Sequence, residues 1–233
     1  MILIKLLLAH LIGDFFLQPT SWVKEKEKLK LRSPKLYVHV LIHMALLFLI
    51  LWDVSKWPII LIIGVSHFII DALKLLLQTK KNKRLLFFID QLLHSAVLVA
   101  IYWMGVSKDG FLTSLLTDHT LIILTFILFL TLPVSIIMKT IFMKWDISKL
   151  TEGNESLKDA GMYIGILERI LVFVFVILNH WEAVGFLITA KSVFRFGDLK
   201  ESKERKLTEY ILIGTLISFG IAILTGILYR MVV

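Results

Sequence analysis

The sequence WPIILIIGVSHFIIDALKLLL, residues 57–77, is apolar over about 20 residues, interrupted by His67 and Asp71. An α-helix of this length rises about 30 Å, which matches the hydrocarbon thickness of a bilayer. The segment is therefore expected to cross a membrane as one helix. His67 and Asp71 are four residues apart, so their side chains would lie on one face, one turn apart.

The rest of the chain has the same apolar character. Its 233 residues are 58% hydrophobic and 19% charged, with a mean hydropathy of +0.83. So much apolar surface cannot be buried in one soluble core of this length, which excludes a soluble enzyme and a disordered chain. The absence of cysteine excludes disulfides, cysteine-based zinc sites and thiol catalysis.

We predict an all-α polytopic membrane helix bundle with seven long spans and one short or re-entrant segment, 182–196. The first span is expected to be retained, because its start lacks the features of a cleaved signal peptide. Residues 1–110 are expected to form a four-helix bundle and residues 111–233 the C-terminal helical part of the same domain. The long spans are predicted at about residues 2–18, 36–54, 57–77, 85–106, 115–138, 161–180 and 208–230.

Lysine and arginine cluster in every second link between the spans. The intervening links carry only Lys56 and Lys108, with Arg230 at the C-terminal end. The positive-inside rule then places the clustered links in the cytoplasm and the N-terminus outside. The last cluster stays inside only if 182–196 crosses the membrane, which favours eight crossings, one of them short. The surplus of eight positive charges is accounted for by topology and anionic lipid, so no nucleic-acid partner is expected. The clusters are Lys24, Lys26, Lys28, Lys30, Arg32 and Lys35; Lys80, Lys81, Lys83 and Arg84; Lys139, Lys144, Lys149 and Lys158; and Arg195, Lys200, Lys203, Arg205 and Lys206.

Each of the first four spans carries one pair of histidine or aspartate residues spaced i, i+4. Ionisable side chains cost about 2.5–3.5 kcal/mol each in a span, so they are functional candidates. With the alternating directions of the spans, all four pairs are expected at one depth in the cytoplasmic half, with a histidine-rich tier about 6 Å deeper than a carboxylate-rich tier. The pattern also suggests that the four spans are a duplicated hairpin. The pairs are His10 and Asp14, His39 and His43, His67 and Asp71, and Asp90 and His94.

These eight residues are the predicted metal ligands. Imidazole and carboxylate together suit zinc, iron or manganese, and eight ligands exceed the need of one tetrahedral ion, so one or two divalent transition metals are expected. Gln18 and Gln91 are expected to orient the ligands. The alternative is a network of hydrogen bonds that only holds the helices together.

A second polar group lies in the later spans. Glu168, Arg169, Lys191 and Arg195 are predicted to bind an anionic substrate, with Lys191 also a catalytic residue that steadies the developing charge. The alternative is an intramembrane ion pair between Glu168 and a basic neighbour.

At several of these residues the chain resembles an uncharacterised bacterial integral-membrane family, a domain of unknown function. The resemblance rests on four motifs but implies no assigned reaction. It favours the bacterial inner membrane as the location. The motifs are H-x3-D-F-x2-Q at His10, Asp14, Phe15 and Gln18; G-x-L-E-R at residues 165–169; K-S-x2-R-F at residues 191–196; and E-Y-x-L-I-G-T at residues 209–215.

The leading functional hypothesis is an intramembrane metal-dependent hydrolase that acts at the cytoplasmic leaflet on a membrane lipid, with a lipid phosphate as the expected substrate. Asp14, Asp71 or Asp90 is the predicted general base. The alternatives are a divalent-cation transporter and a structural or partner-binding membrane subunit.

Overall fold

The computed structural model describes residues 2–105, 119–145, 159–196 and 202–233. Helices make up most of these described residues, and none of them lies in a β-strand. The prediction of an all-α polytopic membrane bundle is confirmed. Helices are expected in such a protein, because a helix satisfies its own backbone hydrogen bonds in lipid. The segments long and apolar enough to span a membrane are Pro34–Leu51, Val54–Leu77, Lys83–Met104, His119–Phe142, Ala160–Ile177 and Lys206–Val232.

The helices divide between two compact units, Met1–Thr125 and Phe126–Val233. The predicted division between residues 110 and 111 lies outside the described residues. The helices of the first unit are α1 (Ile2–Leu11, continued by a π-helical turn, Ile12–Phe16), α2 (Thr20–Leu29), α3 (Pro34–Leu51), α4 (Trp57–Leu77) and α5 (Lys83–Gly105). Those that follow are α6 (His119–Leu130), α7 (Leu132–Phe142), α8 (Ala160–Ile177), α9 (Trp181–Phe196) and α10 (Ser202–Val232).

Proline and a left-handed residue set several helix ends in the first unit. Pro34 is the first residue of α3, where its fixed φ suits the helix and its missing N–H costs nothing. Trp52 ends α3 in the left-handed conformation (φ 49°) and donates its N–H to the Phe48 carbonyl. Pro58 lies in the first turn of α4 in the same way as Pro34.

The first predicted span turns sharply at its end. The helical segments Ile2–Phe16 and Thr20–Arg32 meet at an angle of 83°. The chain is extended at Pro19 (ψ 149°) between them, and α2 starts directly after it. Because α2 carries the sequence TSWVKEKEKL, the predicted basic link is itself a polar helix.

Helices α1, α3, α4 and α5 form a ring. Helix α1 packs against α3 and α5, and α4 packs against the same two helices, so α1 lies across from α4 and α3 across from α5. The interior at one end of the ring is a cluster of buried apolar side chains. Its members are Leu6, Ala9, Leu47, Ile60, Ile63, Leu98 and Ile101.

In the second unit, α8 packs against α7, α9 and α10. The fifth predicted span is not one straight helix, because it breaks at Thr131, two residues before Pro133. A proline in mid-helix lacks the N–H that would continue the hydrogen-bond ladder. Helix α9 has 16 residues and rises about 24 Å, less than the about 30 Å of a full crossing.

Candidate metal centre

The four predicted pairs meet inside the ring of α1, α3, α4 and α5. Because each pair is spaced one helical turn apart, both of its side chains point from the same helix face into the interior. Seven of the eight residues are buried, and Asp14 is partly buried, with a side chain 10% exposed. The residues are His10, Asp14, His39, His43, His67, Asp71, Asp90 and His94.

The Asp14 carboxylate is at the centre of this group. Its Oδ1 atom lies 2.9 Å from His43 Nε2, 3.2 Å from His39 Nε2 and 3.6 Å from His67 Nε2. His39 Nε2 and His67 Nε2 are themselves 3.1 Å apart. These separations are close to the roughly 3.3 Å between ligand atoms of a tetrahedral zinc ion with bonds of about 2.0–2.1 Å. The Asp14 oxygen is therefore separated from each of three imidazole nitrogens by about the distance between two ligands of one ion.

The four histidines predicted to form the deeper tier lie close together in the structure. The His67 ring centroid lies 4.0 Å from that of His43 and 4.1 Å from that of His94, and His10 lies 5.2 Å from His94. These four rings line a small cavity whose other walls are Ser66 and apolar side chains, most of them from the buried cluster. The histidine tier thus lies between the carboxylates and the apolar end of the ring.

Four buried polar atoms of the group have no hydrogen-bond partner among the described residues. Such atoms are rare in folded proteins, because an unpaired buried polar group costs free energy. Nitrogen lone pairs and a carboxylate oxygen are also atoms that bind divalent metals. The atoms are His10 Nε2, His39 Nδ1, His94 Nε2 and Asp90 Oδ1.

The described residues contain three overlapping groups that could hold a metal ion. In each group the ligand atoms lie within 4.8 Å of one another, and Asp14 and His67 each belong to two groups. Shared carboxylates are common where two metals lie about 3.5–4 Å apart. The arrangement therefore offers more than one set of ligand atoms. The groups are His10, Asp14, His43 and His67; His39, His67 and Asp71; and Asp14, Asp90 and His94.

Two lysines that the sequence interpretation did not single out adjoin the carboxylates. Lys26 Nζ donates a hydrogen bond to Asp71 Oδ2 at 2.9 Å, and Lys74 Nζ donates one to Asp90 Oδ2 at 2.7 Å. The side chain of Lys26 is only 6% exposed and that of Lys74 is 24% exposed. The carboxylate edge of the site therefore carries two ammonium groups.

The sequence carried a signal for one of these lysines only. Lys74 follows Asp71 by three residues and His67 by seven, so it lies on the same face of α4. Lys26 is one of several lysines alternating with glutamates in α2, and nothing in that pattern distinguishes it. Its burial follows from the way α2 packs against its neighbours.

Helix α2 is held against the end of α4 by further polar contacts. Lys30 Nζ donates hydrogen bonds to the carbonyls of Leu75 and Gln78, where a cation also interacts favourably with the helix C-terminus. Burial alone would raise the pKa of Glu27, but hydrogen bonds from Lys83 and Gln78 outweigh it and lower that pKa. These contacts hold Lys26 in position beside Asp71.

Gln18 and Gln91 both contact the site, as the sequence analysis expected. The Gln91 amide donates to Asp14 Oδ2 at 2.9 Å and to Asp90 Oδ2 at 3.2 Å. The Gln18 amide lies 2.9 Å from His39 Nε2 rather than near the carboxylate of its own helix.

A widened helical turn positions Asp14. Residues Ile12–Phe16 form a π-helical turn, and the Leu17 N–H bonds the Ile12 carbonyl five residues earlier at 3.0 Å. Such turns occur frequently at functional sites. Within it, Gly13 leaves room for the His43 ring, which a Cβ atom would overlap.

The predicted substrate-binding residues of the later spans lie in the second unit. Arg169 is 3% exposed and donates hydrogen bonds to the carbonyls of Leu130 and Thr131 and to the hydroxyl oxygens of Ser135 and Ser218. This environment joins α8 to the break between α6 and α7.

Lys191 and Glu168 form an ion pair at 2.5 Å. The Lys191 ammonium also lies 5.6 Å from the centre of the Phe219 ring. Arg195 belongs to the last turn of α9, and its side chain lies outside the described part of the chain. The substrate-binding roles of these residues stay predictions.

The fold and the site define a polytopic helical membrane protein with a buried histidine and aspartate cluster. The chain belongs to the family described as "Protein of unknown function (DUF3307)", which matches residues 2–122. All eight histidine and aspartate positions lie within the matched residues, whereas the motifs at 165–169, 191–196 and 209–215 lie beyond them. No curated protein and no solved structure matches the chain.

Proposed function

We propose that this protein is an intramembrane metal-dependent hydrolase that acts on a membrane lipid, with a lipid phosphate as its substrate. The single observation that carries the proposal is the group of three imidazole nitrogens around one Asp14 oxygen, at 2.9, 3.2 and 3.6 Å. The crowding of lone-pair atoms supports a metal more than a hydrogen-bond network, because a network requires a donated proton for each short contact.

A bound divalent cation would lower the pKa of a water molecule and polarise the bond to be cleaved. Asp14, Asp71 and Asp90 are the groups that would take the proton from that water. Asp90 is well suited, because its Oδ1 has no hydrogen-bond partner among the described residues while its Oδ2 accepts from Lys74.

The distribution of basic residues supports an orientation with the N-terminus outside, and the resemblance to a bacterial family favours the bacterial inner membrane as the location. In that orientation the carboxylate edge faces the cytoplasmic leaflet. Lys74 lies on this edge and is 24% exposed, so a lipid headgroup can approach from this side.

The packing of the ring weighs against the transporter alternative. A conduit needs a polar route on both sides of its site. Here the histidine tier is followed by buried apolar side chains, among them Leu47, Ile63 and Leu98. This favours a site open from one side, as a hydrolase requires.

Elemental analysis of the purified protein tests the proposal. Wild-type protein should carry a stoichiometric transition metal, and His67→Ala should lose at least about nine-tenths of it, because His67 belongs to two ligand groups. His180→Ala is the matched control, since His180 is exposed and pairs only with Glu182 among the described residues. The metal-loaded protein should release phosphate from phosphatidate in mixed micelles, and a chelator should abolish the release.

The proposal would be contradicted if the wild-type protein contained no transition metal. If His67→Ala also failed to assemble normally, a structural subunit would be favoured. Metal flux into proteoliposomes that depends on His67, without phosphate release, would favour a transporter.

A further inference from the structure

The two ammonium groups at the carboxylate edge retain unused donors. A lysine ammonium has three N–H donors. Among the described residues, Lys26 Nζ donates to Asp71 alone and Lys74 Nζ donates to Asp90 alone. Each group therefore has further donors for a ligand while it keeps its carboxylate partner.

The two lysines both lie beside the carboxylates of the site. Lys74 follows Asp71 by three residues on the same face of α4, and Lys26 reaches the same carboxylate from α2. Two positive charges thus lie along one edge of the metal ligands, on the side away from the buried apolar cluster.

The charges of the site favour an anion once metal is bound. Three carboxylates, Asp14, Asp71 and Asp90, are nearly balanced by the two ammonium groups when the imidazoles are neutral. Two divalent cations would leave the buried site with three surplus positive charges. Such a surplus is costly in a medium of low dielectric, and a dianion with a hydroxide would offset it.

We propose that Lys26 and Lys74 are the substrate-specificity residues of the site and that they bind the oxygens of a phosphoryl group. This inference rests on the proposed function, because it requires the metal to be present. Phosphoryl groups match the arrangement, since they carry two negative charges and lysine binds them as a point charge. Sites with two metals are also common in phosphatases.

The assignment differs from the sequence prediction in its residues. The acceptors of Arg169 and Lys191 belong to the second unit, and none of them is among the eight candidate metal ligands. Lys26 and Lys74 instead adjoin the carboxylates that could hold the metal, so a phosphoryl group that they bind would lie next to the ions.

The test is the binding of inorganic phosphate to the metal-loaded full-length protein in detergent, measured by calorimetry. Lys26→Gln and Lys74→Gln should each bind phosphate about 10- to 100-fold more weakly, the usual loss for one charge-assisted hydrogen bond. Lys24→Gln is the matched control, because Lys24 is an exposed lysine of the same helix as Lys26. Metal content is measured on every sample.

Variants that fail to fold are recognised by their elution profile, and Lys26→Arg then replaces Lys26→Gln. Arginine retains the positive charge and should keep most of the phosphate binding. Unchanged phosphate affinity in Lys74→Gln, and in Lys26→Gln where that variant folds, with metal retained, would overturn this inference alone. Absence of metal from the wild type would overturn the proposed function and this inference together.

A second experiment identifies the source of the phosphoryl group. The binding of inorganic phosphate is repeated in nanodiscs of phosphatidylcholine with and without phosphatidate. Competition by phosphatidate identifies a lipid headgroup as the ligand, and the absence of competition identifies a free phosphate compound.

Discussion

At the scale of single residues, the contact between Gly13 and His43 determines the geometry at Asp14. Gly13 is buried in the π-helical turn and has no Cβ, so the His43 ring can approach the backbone beside it. That approach brings His43 Nε2 to 2.9 Å from Asp14 Oδ1. A glycine, which destabilises an ordinary helix, is here a requirement of the site.

Gly13→Ala should therefore weaken metal binding by about 10- to 100-fold, because the new methyl group displaces His43 from Asp14. Metal affinity is measured by competition with a chromogenic chelator. Gly220→Ala is the control, since a Cβ at Gly220 meets nothing within 4 Å and should leave affinity unchanged. Equal metal affinity in both variants would show that His43 is not a ligand.

At the scale of helices, Arg169 connects α8 to the break between α6 and α7. The break at Thr131 leaves backbone carbonyls near a helix end, and Arg169 donates to the Leu130 carbonyl at 2.6 Å and to the Thr131 carbonyl at 3.2 Å. A guanidinium is suited to this task, because it presents five donors in a rigid plane. The buried charge is thus paired with helix carbonyls and two serine hydroxyls.

Arg169→Met should lower the free energy of unfolding by about 2–4 kcal/mol, because it leaves buried acceptors unpaired. The measurement is the thermal unfolding midpoint in detergent. Arg230→Met should change stability by less than about 0.5 kcal/mol, since Arg230 is exposed. Normal stability of Arg169→Met together with lost phosphate binding would instead support the substrate-binding role predicted from the sequence.

At the scale of the whole molecule, the alternation of basic and neutral links defines a proposed orientation. The link between α3 and α4 contains Val54, which is 71% exposed, and the link between α4 and α5 contains the exposed Thr79. The two positions are expected on opposite sides of the membrane, because a single span separates them.

The chain has no cysteine, so single substitutions give a clean labelling experiment. A membrane-impermeant maleimide should label Val54→Cys in intact cells and Thr79→Cys only after permeabilisation. The unsubstituted chain is the control for background. Labelling of Thr79→Cys without permeabilisation, with Val54→Cys protected, would reverse the proposed orientation.

The helices and the composition of the site could be predicted because they depend on local chemistry. Apolar runs of membrane length must be helical in lipid, and a spacing of four residues places both members of each pair on one face. These rules were sufficient for the predicted helical segments, except for the break at Thr131, and for the residues at the centre of the ring.

The partners within the site were decided by tertiary structure. Contacts between residues far apart in the chain, such as Lys26 with Asp71 and Arg169 with Leu130, decided these partners. They determine which carboxylate is shared, which lysine is buried and which arginine bonds the carbonyls at the helix break. The spacing of residues along the sequence does not predict these contacts, because they depend on how the helix faces pack. The sequence by itself thus determined a membrane bundle with buried histidines and aspartates, and only the packing of α1 to α5 arranged them around Asp14 with two lysines at their edge.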